Sequence, residues 1–135
     1  MDYDTPIGDI KSNISLRTFK AVSSDGKIVQ WTPKLADSLE LLIVNENNSY
    51  QTIDYSPDCG KMFVCAGKLP ILEVYDEETL KRVVDLEKGA SGGHCNKILC
   101  AKFDSVNPDI IYSGGWDRNV VIWDVRSGKS IGSIN

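Results

Sequence analysis

Three stretches of this chain repeat one pattern: AVSSDGKIVQWT (21–32), CAGKLPILEVYD (65–76) and SGGWDRNVVIWD (113–124). Each is a short apolar run, a polar or glycine-rich break, and a second apolar run that ends on an aromatic ring. Aligned on Trp31, Tyr75 and Trp123, the copies lie 44 and 48 residues apart. This period constrains the fold more than anything else in the chain. A repeated unit that cannot bury its own apolar face must stack on its neighbours, and a unit of about 40–45 residues holds four short strands.

The register extends upstream. Tyr55 lies 20 residues before Tyr75, and Phe103 lies 20 before Trp123. Both close short apolar-alternating runs (51–55 and 98–103) and are followed by Pro/Asp/Gly turn chemistry. The middle unit therefore predicts strands near 50–55, 61–66, 71–75 and 81–86, and the last near 98–103, 109–114, 119–124 and 129–134. Val, Ile, Tyr and Trp dominate them, as a pleated, half-buried surface requires. Residues 35–44 have some helical propensity, but 39–44 falls in the slot of an outer strand and is read as one. The first unit lacks a clear innermost strand. Lys11 stands 20 before Trp31, so that strand is expected to be shortened, missing or displaced to 14–18, with residues 1–14 as an arm. The units then span about 15–46, 47–88 and 89–135. The expected class is all-β: four-stranded antiparallel blades of an incomplete propeller, since a closed ring takes roughly 4–8 blades.

The last unit also carries Gly93-His94 and, thirty residues after Gly93, Trp123-Asp124. This GH…WD pattern resembles the WD-repeat (WD40-type) β-propeller family, over residues 15–135. The resemblance implies a buried hydrogen-bonded tetrad of His94, Ser113, Asp117 and Trp123. An indole N–H only donates, so a buried Trp needs an acceptor; a Ser hydroxyl can supply it and relay through an imidazole to a carboxylate. The first unit keeps Asp25 and Trp31 but has Ala21 in the Ser position and no His. The middle unit has Cys65, Leu69 and Tyr75 in the Ser, Asp and Trp positions, so it is expected to rest on apolar packing alone. The resemblance further implies that residues just before the turn Asp touch partners. These are Trp116 and its equivalents Ser24 and Lys68, with Arg118 beside them. Trp and Arg are the types enriched at binding hot spots.

Other chemistries fare poorly. His94, Ser113 and Asp117 could spell a nucleophilic triad, but a Ser oxygen committed to an indole cannot reach a substrate. Gly128-Lys129-Ser130 ends like a phosphate-binding loop, yet Trp123 stands where that pattern needs its first Gly. The four cysteines, at 59, 65, 95 and 100, do not offer four convergent zinc ligands. Cys65 and Cys100 are expected to pack within strands, and 76–78 reads as a solvated acidic turn. No metal or cofactor is expected. The net charge of −4 disfavours nucleic acid, and no apolar run approaches the ~18 residues of a membrane span. The acidic, polar start is unlike a signal peptide, which points to the cytoplasm and to reduced thiols.

The expected function is a non-enzymatic protein-interaction scaffold inside a larger assembly. Three blades leave terminal sheet faces open, so self-association, docking on a partner, or truncation of a longer product is expected. Two alternatives stand beside it: a piece of an enzyme-associated or metal-binding propeller protein, and a component of a cytoskeletal or ciliary complex.

Overall fold

A computed structural model of the chain describes residues 6–33 and 39–135. Every regular element among them is a strand. The first sheet joins β1 (Ile7–Asn13), β2 (Thr18–Ser23), β3 (Lys27–Trp31) and β4 (Leu39–Val44). The second joins β5 (Tyr50–Tyr55), β6 (Met62–Gly67), β7 (Leu72–Asp76) and β8 (Arg82–Leu86). The third joins β9 (Ile98–Phe103), β10 (Ile110–Gly115), β11 (Val120–Asp124) and β12 (Lys129–Ile134). Each sheet is an antiparallel meander in chain order.

The first sheet corrects one expectation. Its innermost strand is β1, over Ile7–Asn13, so that segment is not an arm, and 14–17 is the turn into β2. The register explains why the alignment on Lys11 missed it. Ser12 pairs with Phe19 as Tyr55 pairs with Phe63 and Phe103 with Ile111, so the equivalent position is Ser12. β1 is polar and exposed along much of its length, and its alternation carries little apolar signal.

The sheets pack face to face. Val22 and Ile28 of the first meet Tyr50, Ile53, Phe63, Cys65 and Tyr75 of the second. Val64, Ala66, Leu72, Val74 and Leu86 of the second meet the third, including Ile111, Val121 and Trp123. Fully burying side chains of this size contributes roughly 1.5–3 kcal/mol each. The middle sheet is covered on both faces, and β6 and β7 are buried at nearly every position. In the third sheet β11 alternates buried positions with exposed or half-buried ones, because among the described residues only one face has a neighbour.

Polar clasps join the innermost strands. Asp9 accepts the Ile53 N–H at 3.1 Å, and Thr52 Oγ1, at the equivalent position of the next blade, accepts the Ala101 N–H at 3.4 Å. Asp54 also accepts the Phe103 N–H at 2.8 Å. Each inner strand thus caps a backbone donor of the next, which fixes their relative height.

Among the described residues, no sheet covers the outer faces of the first and third sheets. On the first sheet Trp31 is 44% exposed and packs on Phe19 at 5.5 Å, with Ile10 and Leu41 also exposed. On the third, Leu99, Tyr112, Val120 and Ile131 are exposed. Cys100 is exposed too, which corrects the expectation that it packs in its strand.

Candidate interaction face

In the last blade, Trp123 on β11 donates its indole N–H to Ser113 Oγ on β10, at 2.8 Å. Ser113 Oγ lies 2.7 Å from His94 Nε2, and His94 Nδ1 lies 2.9 Å from Asp117 Oδ2. The hydroxyl oxygen accepts from the indole, so its own proton goes to Nε2, and Nδ1–H donates to the carboxylate. The Cys95 and Asn119 N–H groups also donate to Asp117, at 3.1 and 3.2 Å. Burial opposes ionisation of Asp117, but the hydrogen bond from His94 and those two N–H groups outweigh it and hold its pKa below the ordinary value. Gly93 has a φ of 147° and crosses above the indole; a Cβ there would stand 2.5 Å from Lys88 Cα. Any larger residue would force the Gly93 or Lys88 backbone to shift. His94, Ser113 and Trp123 are buried, and the Ser oxygen is occupied on both sides. That arrangement turns the Ser113 hydroxyl away from solvent and commits it to the indole and the imidazole.

The middle blade has a polar centre of its own, which corrects the expectation that it rests on apolar packing. Glu73 on β7 is buried beside Cys65, directly across the ladder. Its Oε1 accepts from Tyr50 and Tyr75 hydroxyls at 2.8 and 2.7 Å and from Arg82 at 2.9 Å. Its Oε2 accepts from Asn48 at 2.8 Å and from Asn45 at 3.3 Å. Burial, with Glu73 nearby, pushes the Cys65 thiol well above its ordinary pKa, so it stays protonated. Asn48 Oδ1 also accepts from the Ser49 and Leu69 N–H groups, at 2.9 and 3.1 Å. Leu69 holds the position of Asp117. Here the loop side chain reaches to the turn, whereas in the last blade the turn carboxylate reaches to the loop.

A second buried charge escaped the sequence reading. Lys20 on β2 is fully buried between the first two blades, where its ammonium contacts Gln30 at 2.8 Å, Tyr55 at 3.1 Å and Glu77 at 2.7 Å. It also lies over the Phe63 ring, 4.9 Å from the centroid. Burial lowers the Lys20 pKa and raises that of Glu77, against their mutual attraction. The acidic turn is therefore only partly solvated: Asp76 caps the Glu78 and Thr79 N–H groups, while Glu77 turns inward. A lysine inside an apolar run at 19–22 was the available signal.

The three turn residues named as contact candidates occupy one structural position. Ser24, Lys68 and Trp116 each donate a backbone N–H to the carbonyl before an innermost strand: to Pro6 at 3.0 Å, Ser49 at 2.9 Å and Lys97 at 3.0 Å. They form a row on one face of three successive blades. Trp116 is 59% exposed, and the Lys97 ammonium lies 3.8 Å from its ring centroid. Arg118 is exposed and left-handed, with a φ of 65°, on the same turn. Asp117 between them is the residue the tetrad holds, so the buried network sets the position of both exposed side chains. In the first blade Asp25 instead pairs with Lys27 at 2.9 Å and accepts from Ser23.

Among the described residues, no three His, Cys, Asp or Glu side chains converge as metal ligands. The hairpin between β11 and β12 turns over 125–128, with Gly128 at a φ of 71°, and Lys129 and Ser130 open β12. Ser130 donates to the Ser91 carbonyl at 2.7 Å, so its hydroxyl ties the loop before His94 to the outer strand.

Meanders of four strands stacked face to face, the last locked by a His–Ser–Asp–Trp network, define a run of three WD-repeat β-propeller blades. Comparison with solved structures gives the same fold. The structure of U3-55K aligns with a TM-score of 0.84 at 14% identity, covering 99% of this chain and 40% of that one. The RRP9 WD40 repeats align with a TM-score of 0.82 at 13% identity, with the same coverage. No family model matches. In sequence, the chain is 32% identical over 124 residues to histone acetyltransferase type B subunit 2 of Candida glabrata, covering 89% of this chain and 27% of that protein. It is 29% identical over 86 residues to U4/U6 small nuclear ribonucleoprotein PRP4 of Saccharomyces cerevisiae, covering 64% of this chain and 17% of that protein. The chain thus spans about a quarter or less of the length of these two relatives.

Proposed function

We propose that the chain is a protein-interaction scaffold within a larger assembly, and that the turn row on one blade face is its docking surface. One observation carries this reading: Trp116 is exposed on a turn that a buried four-residue network holds rigid. A large side chain on a preorganised turn loses little freedom on binding, which is how few residues come to dominate an interface. The relatives support it, being named as a subunit of a histone acetyltransferase and a component of a ribonucleoprotein. The reading is non-enzymatic, because the one triad-like cluster has its hydroxyl internally bonded on both sides. The cytoplasmic location expected from the sequence belongs to the same proposal, and imaging of a tagged copy tests it. The test of the scaffold is Trp116→Ala in the intact gene product, with co-purified proteins quantified by mass spectrometry. Partners held through this face are expected to fall at least tenfold. An unchanged set would overturn the docking-face reading.

The open outer faces support a second contact mode. Trp31, Ile10 and Phe19 on one end and Leu99, Tyr112 and Ile131 on the other suit self-association or packing of further blades. Sedimentation of the isolated chain tests it: a concentration-dependent rise in mass that Trp31→Lys abolishes supports self-association, and a stable monomer rules it out.

A further inference from the structure

We infer that the partner segment at this face is an acidic peptide, with an apolar side chain on the Trp116 indole and carboxylates on Lys97, Arg118 and Lys68; this rests on the docking-face reading above. Trp116 and Lys97 form one unit, because the ammonium sits 3.8 Å from the ring centroid and the Trp116 N–H is bonded to the Lys97 carbonyl. One ring face is therefore covered by a cation. Arg118 extends from the same turn, and Lys68 occupies the Trp116 position one blade earlier. Among the described residues, none of these three cations has a carboxylate within ion-pair distance. The carboxylates nearest in sequence to Arg118 and Lys68 are already used. Asp117 is taken by His94 and two N–H groups, and Glu73 by the middle blade's network. Uncompensated cations beside an exposed aromatic, on a chain of net charge −4, make a local patch whose complement is negative and partly apolar.

Nucleic acid is the competing polyanion, and the face suits it less. Single strands are bound by a continuous basic groove with successive aromatic platforms. Here one ring is exposed on the turns, and Glu46 and Glu87 are exposed on the loops before β5 and after β8. A short peptide needs only one ring and two or three cations.

The test uses the 135-residue chain and fluorescence anisotropy with three labelled probes. These are a ten-residue peptide of Asp and Glu around a central Phe, the same peptide with Asn and Gln, and a uridine decamer. The acidic peptide is expected to bind at least tenfold more tightly than the amide version and to weaken as salt rises. Trp116→Ala should cost tenfold or more, and Lys97→Glu and Arg118→Asn about fivefold each, with circular dichroism unchanged. Equal binding of the amide peptide, or acidic binding that survives all three substitutions, would overturn the inference. So would tighter binding of the uridine decamer with the same residue dependence. If Trp116→Ala strips partners from the intact product while the acidic peptide does not bind, the docking face stands and only the acidic chemistry falls.

Discussion

In the last blade the buried polar centre is a hydroxyl, Ser113, relayed by His94 to a carboxylate on the turn. In the middle blade it is a carboxylate, Glu73, within the strand itself, gathering two phenols, two amides and a guanidinium. Both networks face the preceding blade, and both tie the loop before the innermost strand to the turn between strands two and three. A blade can therefore lose His, Ser, Asp and Trp together and keep the tie, provided another set of donors and acceptors closes. The difference lies in where charge sits. Asp117 lies at the rim between the exposed turn residues, whereas Glu73 lies inside the sheet stack and reaches the turn of Lys68 only through Asn48.

Substitutions can break this comparison. Glu73→Ala would leave the Tyr50 and Tyr75 hydroxyls and the Asn48 amide without their buried acceptor and leave Arg82 only Asp85 and Tyr75, and is expected to cost about 3–5 kcal/mol in urea unfolding. A loss under about 1 kcal/mol would mean the middle blade does rest on apolar packing. Ser113→Ala removes the acceptor of the indole and the partner of His94, for about 2–3 kcal/mol. Ser113→Cys, which copies the middle blade's residue, should cost less. Tyr75→Phe deletes one of several donors to Glu73 and should cost about 1 kcal/mol.

A pH series separates the blades. The lowered Asp117 pKa means its contribution is fully present above about pH 4, the ordinary aspartate range, and is lost as pH falls through the lower folded value. Amide exchange at 93–98 should accelerate in that acid window, and Asp117→Asn should abolish the pH dependence there. An acid-insensitive 93–98 segment would show that the carboxylate does not hold the loop. The smallest effect belongs to Trp116→Ala: within about 0.5 kcal/mol of wild-type stability, since the ring is largely exposed. A larger loss would make Trp116 structural rather than a contact residue.

Much of this was legible beforehand. The strands of the last two blades lie within about a residue of their expected places, because alternation and turn chemistry are local signals. His94, Ser113, Asp117 and Trp123 meet within hydrogen-bonding distance, since spacing within one blade fixes which strand and turn each occupies. β1 was missed because its exposed, polar sequence carries no apolar alternation. The Glu73 network was missed because its members had no template. Glu73, Tyr50 and Asn48 are separated by 23 and 25 residues and are brought together only by the ladder of the middle blade.

The amino-acid sequence alone determined the three repeats and the four-strand content of the last two, because both depend on periodicity and turn chemistry, and the family resemblance implied the polar lock of the last blade. Tertiary structure alone decided that Lys20 would be buried against Glu77, 57 residues away, and that Trp31 would be exposed while Trp123 is not. The two tryptophans hold the same place in their blades. The physical reason for their different fates is that one has a neighbouring sheet to pack on and the other, among the described residues, has none.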